Sequence, residues 1–377
     1  MRKKSSFIFN SEMGIFRKNK ILFYGAIFLL FLIAGSGFLF DSLLPYQEKN
    51  AYLYDYFGKR FEKVLRDEKI RGTSNLWLFL GDSQLISGLK PADLEKISGK
   101  KILFLPRPSE QPEGMLTELE ELLKARIRPE KIFLDASYFN TADVDVVPVH
   151  RSLVLNFDSF RWDFYSDPIK RKFYFRSLGD GVFFALSRIF PLLKLNSNLS
   201  AELRPIPRTE QFSEIDPRLA NVLELDPIRR WKFNRIRNEG LGKELDRNEG
   251  FMEWNRDEPY TGECIPNRDP KPLPQVGWER SYSKVRASSL DAWKRIFDTL
   301  EKEKIPYRIL VIPSRPDFVA ALGKDTALAG FLELVKARGI TVLRPEEEFP
   351  SSDFGDYTHL NACGNLKLTR WFAKTRF

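Results

Sequence analysis

Residues 21–40 read ILFYGAIFLLFLIAGSGFLF, twenty consecutive positions without a charge. As an α-helix such a run rises about 30 Å, the thickness of a bilayer's hydrocarbon core. A core helix of this length normally carries a polar face, so the run reads as a membrane span. Arg2, Lys3, Lys4, Arg17, Lys18 and Lys20 precede it against Glu12, and Asp41, Glu48 and Asp55 follow it with Lys49. That asymmetry puts the N-terminus in the cytoplasm and the main domain on the far, extracytoplasmic side. The competing reading is a cleaved signal peptide, with Ala34, Gly35 and Ser36 as a processing-like site. The run exceeds the roughly 7 to 15 residues of a signal h-region, which favours an uncleaved anchor, and either reading exports the domain. The expected location is the inner (plasma) membrane, single-pass, with a periplasmic or otherwise extracytoplasmic domain.

Over the whole chain the composition is that of a globular protein, 43% hydrophobic and 29% charged, which excludes a wholly disordered or multi-pass protein. The net charge of +9 favours anionic surfaces without choosing among them. His150 and His359 are the only histidines, Cys264 and Cys363 the only cysteines, and their spacing matches no zinc module. No metal and no cofactor is expected. An oxidising compartment permits a Cys264–Cys363 bond without requiring one.

Residues 41–75 are expected to hold an amphipathic helix over 51–70, where Tyr52, Tyr56, Phe57, Phe61, Val64 and Leu65 recur at helical spacing. Short apolar runs then alternate with helix-length stretches. Strands are expected at 76–80, 101–105, 131–134, 307–312 and 340–343, with helices around 116–125, 290–302, 326–337 and from 361 onward. Continuous apolar runs separated by helices indicate buried parallel strands, hence a doubly wound α/β domain built from residues 76–142 and 280–377.

Residues 143–279 lack that rhythm and read as an insertion, a lid or substrate-contact region whose removal should leave a foldable sheet. Its apolar stretch 182–195 reads first as a helix packed on the sheet and second as a groove lining or membrane contact. Arg229, Arg230, Lys232, Arg235 and Arg237, interleaved with Trp231 and Phe233, read as a solvated face or a contact with acidic glycan or headgroup. Nucleic acid is not expected of an exported domain.

Gly81-Asp82-Ser83 follows the first expected strand, where open α/β sheets gather functional groups. A serine hydroxyl needs a base, and the base needs a group to orient it. Asp356 lies three residues before His359 in a turn leading to the last helix, so its carboxylate can hold one ring nitrogen and leave the other for Ser83. The bland alternatives are that Ser83 or Asp82 only caps a helix, and that His359 packs at one. His150 has no carboxylate at such spacing and reads as structural or groove-lining. No G-x-S-x-G elbow and no P-loop occurs, so nucleotide chemistry is unsupported.

With Gly81-Asp82-Ser83 near the start, Asp356-x-x-His359 near the end and a βα rhythm between, the chain resembles the SGNH hydrolase superfamily, the GDSL-type lipases and acylhydrolases. It looks most like the membrane-anchored branch that handles acyl groups on envelope polymers, as in alginate O-acetylation and teichoic acid D-alanylation. The resemblance implies a flavodoxin-like fold and an acyl-serine intermediate, with Ser83 as nucleophile, His359 as base and Asp356 as its orienter. It also implies an oxyanion hole from the Ser83 N–H with a Gly and an Asn from later blocks, for which Gly114 and Asn140 are the nearest matches, at spacings that depart from the family's. The expected function is a serine esterase or O-acyltransferase acting on an acyl ester of an envelope glycan or lipid. The alternative is an inactive scaffold of the same fold that binds an envelope polymer or a partner membrane acyltransferase.

Overall fold

In the computed structural model the described residues are 20–39, 53–143, 163–175, 178–190, 193, 245–252, 264, 266, 272–273 and 282–375. The segment 1–19, His150 and the basic cluster 229–237 lie outside them. Helix α1 (Lys20–Leu39) is long and apolar enough to cross a membrane, and 6% of it is buried against the protein. The expected helix over 51–70 is two helices, α2 (Leu53–Arg66) and α3 (Glu68–Arg71), because the Asp67 carboxylate accepts from the Lys69 N–H and caps a new start.

Strand β1 (Leu76–Leu80) runs into α4 (Ser83–Gly88) and α5 (Pro91–Ser98), followed by β2 (Lys101–Phe104), α6 (Pro112–Lys124), β3 (Lys131–Asp135) and α7 (Tyr138–Thr141). Helices α8 (Asp163–Ser166), α9 (Pro168–Tyr174) and α10 (Leu178–Ile189) come next. The chain closes with α11 (Ala287–Lys302), β4 (Tyr307–Leu310), α12 (Pro316–Leu322), α13 (Ala327–Ala337), β5 (Val342–Leu343) and α14 (Ala362–Lys374). The five strands form one sheet in the order β2-β1-β3-β4-β5, every pair parallel. Strand β4 ends two residues before its expected limit, and β5 begins two residues after its expected start, keeping two paired residues.

Alternate side chains of each strand enter different cores, the period-two rule of an extended chain. Leu78, Leu80, Ile132, Leu134 and Ile309 face a layer that includes Phe61 of α2, Leu119 of α6 and Trp293 and Phe297 of α11. Trp77, Phe79, Phe133 and Leu310 face Leu94 of α5 and Leu368 and Phe372 of α14, with Phe79 and Phe133 stacked at 4.5 Å. Both faces are covered, which is why β1 is apolar at every position.

Residues 143–279 are more than an appendage. Phe164, Phe173, Tyr174 and Phe184 belong to the same buried cluster as β1 and α11, so α8–α10 contribute to the main core. Cys264 and Cys363 form a disulfide across 99 residues, joining the segment to the second position of α14.

Candidate active site

The chain leaves β1 through Gly81, where a side chain has no room: a Cβ would lie 2.3 Å from the Cβ of Asp135 at the end of β3. Glycine is needed there for close approach and not for an unusual φ. Asp82 caps α4, its Oδ1 accepting from the Gln84 N–H at 2.8 Å, while its Oδ2 accepts a hydrogen bond from the Ser137 hydroxyl. Capping thus falls to Asp82, and the Ser83 hydroxyl on the first residue of α4 is left for other work. Asp135 Oδ2 accepts from the Asp82 N–H at 3.3 Å. Burial raises the Asp82 carboxyl against the pull of its donors; burial and then the charge on Asp82 push Asp135 well above the ordinary carboxylate range.

His359 stands on a turn closed by the Phe354–Leu360 bridge and by the Gly355 N–H donating to the His359 carbonyl at 2.9 Å. Its Nδ1 lies 2.7 Å from Asp356 Oδ2 and its Nε2 lies 2.8 Å from Ser83 Oγ. Asp356 Oδ1 accepts from the N–H groups of Thr358 and His359, both at 2.8 Å. Burial works to raise the Asp356 carboxyl, but the His359 ring and these donors outweigh it and leave it below the ordinary value. An ionised carboxylate only accepts, so Nδ1 carries the proton and the Nε2 lone pair faces the Ser83 O–H.

The two loops are fastened together. Asn361 caps α14 through Cys363 N and Gly364 N, and the Asn365 carboxamide donates to the Gly88 carbonyl at the end of α4. Gly364 is confined by the Asp353 carbonyl, 2.3 Å from where a Cβ would sit. Asn361 and Asn365, which place His359 against Ser83, escaped the sequence reading, although an Asn followed by a helical pattern is a recognisable cap.

Gly114 and Asn140, the two expected oxyanion donors, are engaged inside the fold. The Gly114 N–H donates to the Gln111 carbonyl at 2.9 Å, and the Glu110 carboxylate fills the space beside its Cα. The Asn140 carboxamide accepts from the Ser137 N–H and donates to the Asp135 carbonyl, completing a capping box on α7. Among the described residues no acceptor meets the Ser83 N–H, and the second N–H of the Asn140 carboxamide has none either.

The β2–α6 loop is pinned beside the nucleophile by the Arg107 N–H, which donates to the Gly81 carbonyl at 2.9 Å. The buried Arg107 guanidinium pairs with Glu118 and lies over the Phe61 ring. Burial pushes the Glu118 carboxyl up to about 7 against the attraction of Arg107. On the other side, the Gln84 carboxamide donates to Ser314 Oγ at 3.0 Å. Ser314 lines a cleft of about 300 Å³ at the ends of β4 and β5, together with Tyr138, Val319, Arg344, Glu347 and Phe349. That is the lower end of the range for small-molecule sites.

No protein-family model matches this chain, and no curated protein does. What the site can do therefore rests on its own geometry: a hydroxyl, an imidazole and a carboxylate in one hydrogen-bonded line, at the edge where open α/β sheets bind ligands.

Proposed function

We propose that this protein is a membrane-anchored, outward-facing SGNH-like serine esterase or O-acyltransferase acting on an acyl ester of a cell-envelope glycan or lipid. The observation that carries the reading is the line Ser83 Oγ, His359 Nε2, His359 Nδ1, Asp356 Oδ2, with separations of 2.8 and 2.7 Å. The strand order 2-1-3-4-5 is the flavodoxin-like order, which agrees with the SGNH resemblance. In this reading Ser83 Oγ attacks the acyl carbonyl as its proton passes to His359 Nε2. Asp356 stabilises the imidazolium that forms, and the Ser83 N–H faces the oxyanion. Collapse of the tetrahedral intermediate breaks the ester bond, and His359 returns the proton to the departing alkoxide. Water or a sugar hydroxyl then attacks the acyl-serine by the reverse sequence, giving hydrolysis or transfer. The cation-rich stretch before α1 supports an extracytoplasmic domain.

The engagement of Gly114 and Asn140 favours a second reading, a scaffold that holds an envelope polymer or a partner acyltransferase without turnover. A fluorophosphonate probe separates the two. The full-length protein in detergent is treated with the probe, digested and mapped by mass spectrometry beside Ser83→Ala and His359→Ala. Labelling at Ser83 that disappears in His359→Ala supports the enzyme; an unlabelled, folded wild type supports the scaffold.

A further inference from the structure

Helix α10 packs on one side and, among the described residues, leaves a row of apolar side chains exposed on another. Gly181, Phe184 and Ser187 are buried, with Phe184 against Phe164, Tyr165 and Phe175, and the Tyr165 hydroxyl bonded to the Gly181 carbonyl. Leu178, Val182, Leu186 and Ile189 form a second row at helical spacing and are 87%, 48%, 40% and 47% exposed. Basic residues outnumber acidic ones around it. Residues 163–190 contain Lys170, Arg171, Lys172, Arg176 and Arg188 against Asp163, Asp167 and Asp180. Lys170 is buried against Glu120 and Asp163, whereas Arg171 and Lys172 are exposed. An apolar row on a helix in a basic stretch is the pattern of a helix lying in the headgroup layer of an anionic bilayer.

We propose that the exposed row of α10 is a second membrane contact, seated in the headgroup layer of the same bilayer that α1 spans. The proposal rests on the anchor reading of α1 and is independent of the serine chemistry. Thirteen residues, 40–52, separate α1 from α2, and fully extended they reach at most about 45 Å. The domain is thus held near lipid at a high effective concentration, and a row of four side chains too small to recruit a free protein suffices to seat a tethered one. Association of two copies through this row would bring like charges together, which the bilayer's anionic headgroups would instead neutralise. The contact removes the tethered domain's freedom to tumble and fixes one face toward lipid.

The test reconstitutes the full chain in vesicles of phosphatidylethanolamine and phosphatidylglycerol containing a phospholipid with a photoactivatable diazirine near the top of its acyl chain. After irradiation, lipid adducts are mapped by mass spectrometry. Adducts are expected in 178–189 as well as in 20–39, with the former lost and the latter kept in Val182→Asp/Leu186→Asp/Ile189→Asp. Leu178→Asp, at the most exposed position, serves as a second variant that leaves the packed face untouched and should reduce adducts in 178–189. Adducts confined to 20–39, or crosslinks at 178–189 to another copy of the chain, overturn the proposal. An absence of adducts in 20–39 overturns the anchor reading with it. Probe labelling at Ser83 in the same samples reports separately on the proposed chemistry.

Discussion

Asp356→Asn isolates the electronic role of the carboxylate from its structural role. Asp356 Oδ1 accepts two backbone N–H groups at 2.8 Å, from Thr358 and His359, and Oδ2 faces His359 Nδ1 at 2.7 Å. In the Asn variant the carboxamide oxygen stays on the two N–H groups, because flipping would set an NH₂ against two donors and forfeit two hydrogen bonds, each worth about 1 kcal/mol net and more when a buried group is left unsatisfied. The NH₂ then points at Nδ1 and requires the other tautomer, with its proton on Nε2, so His359 donates toward Ser83 where it should accept. Losing the correct tautomer of a serine–histidine pair costs about 10⁴ in rate, or roughly 5 kcal/mol of barrier. The assay is the second-order rate of fluorophosphonate labelling at Ser83, run beside urea unfolding. The expected result is a drop of three to four decades, about 4 to 5 kcal/mol, at nearly unchanged stability. Asp356→Ala should lose the rate and in addition about 1–3 kcal/mol of stability from the two orphaned N–H groups. Labelling of Asp356→Asn within tenfold of wild type would refute the tautomer argument.

Two further outcomes concern stability. The Cys264–Cys363 bond closes a loop of 99 residues, for which chain-entropy reasoning gives about 4–5 kcal/mol, so Cys264→Ser, or reduction of the wild type, should lower the urea unfolding free energy by most of that; a loss below about 1 kcal/mol would show that the bond constrains little of the unfolded chain. The Glu118 carboxyl is raised to about 7 from its ordinary 4.5, so the folded state holds a proton that the unfolded chain releases, and this group's contribution falls as pH rises through that window, by about 3 kcal/mol in all, and is flat above it. Wild type minus Glu118→Gln, compared by unfolding between pH 5 and pH 8, should carry that slope, and parallel pH profiles would exclude it.

The features legible in the sequence are those that depend on a residue's own neighbours. The N-terminal helix long and apolar enough to cross a membrane follows from length and the absence of charge. The strands of the central sheet follow from being buried on both faces, which demands unbroken apolar runs such as Leu76–Leu80. The Asp356–His359 geometry is a three-residue matter settled within one turn, and with two histidines in the chain the partner of Ser83 was nearly decided by count.

The remainder required the chain to be folded. Whether an N–H or carboxamide is free to meet an oxyanion depends on what packs beside it, so Gly114 and Asn140, reasonable by type, are taken up by Gln111, Ser137 and Asp135. Gly81 is required because Asp135, 54 positions along the chain, arrives where its side chain would be. The 143–279 segment lacks a βα rhythm, yet Phe164, Phe173, Tyr174 and Phe184 complete the main core, since burial is decided by contact and not by periodicity. Helix α10 makes the same point in reverse. Its packed side carries Gly181, Phe184 and Ser187 and its exposed row Leu178, Val182, Leu186 and Ile189, which only the tertiary structure could tell, because an apolar residue carries no mark of which surface will cover it.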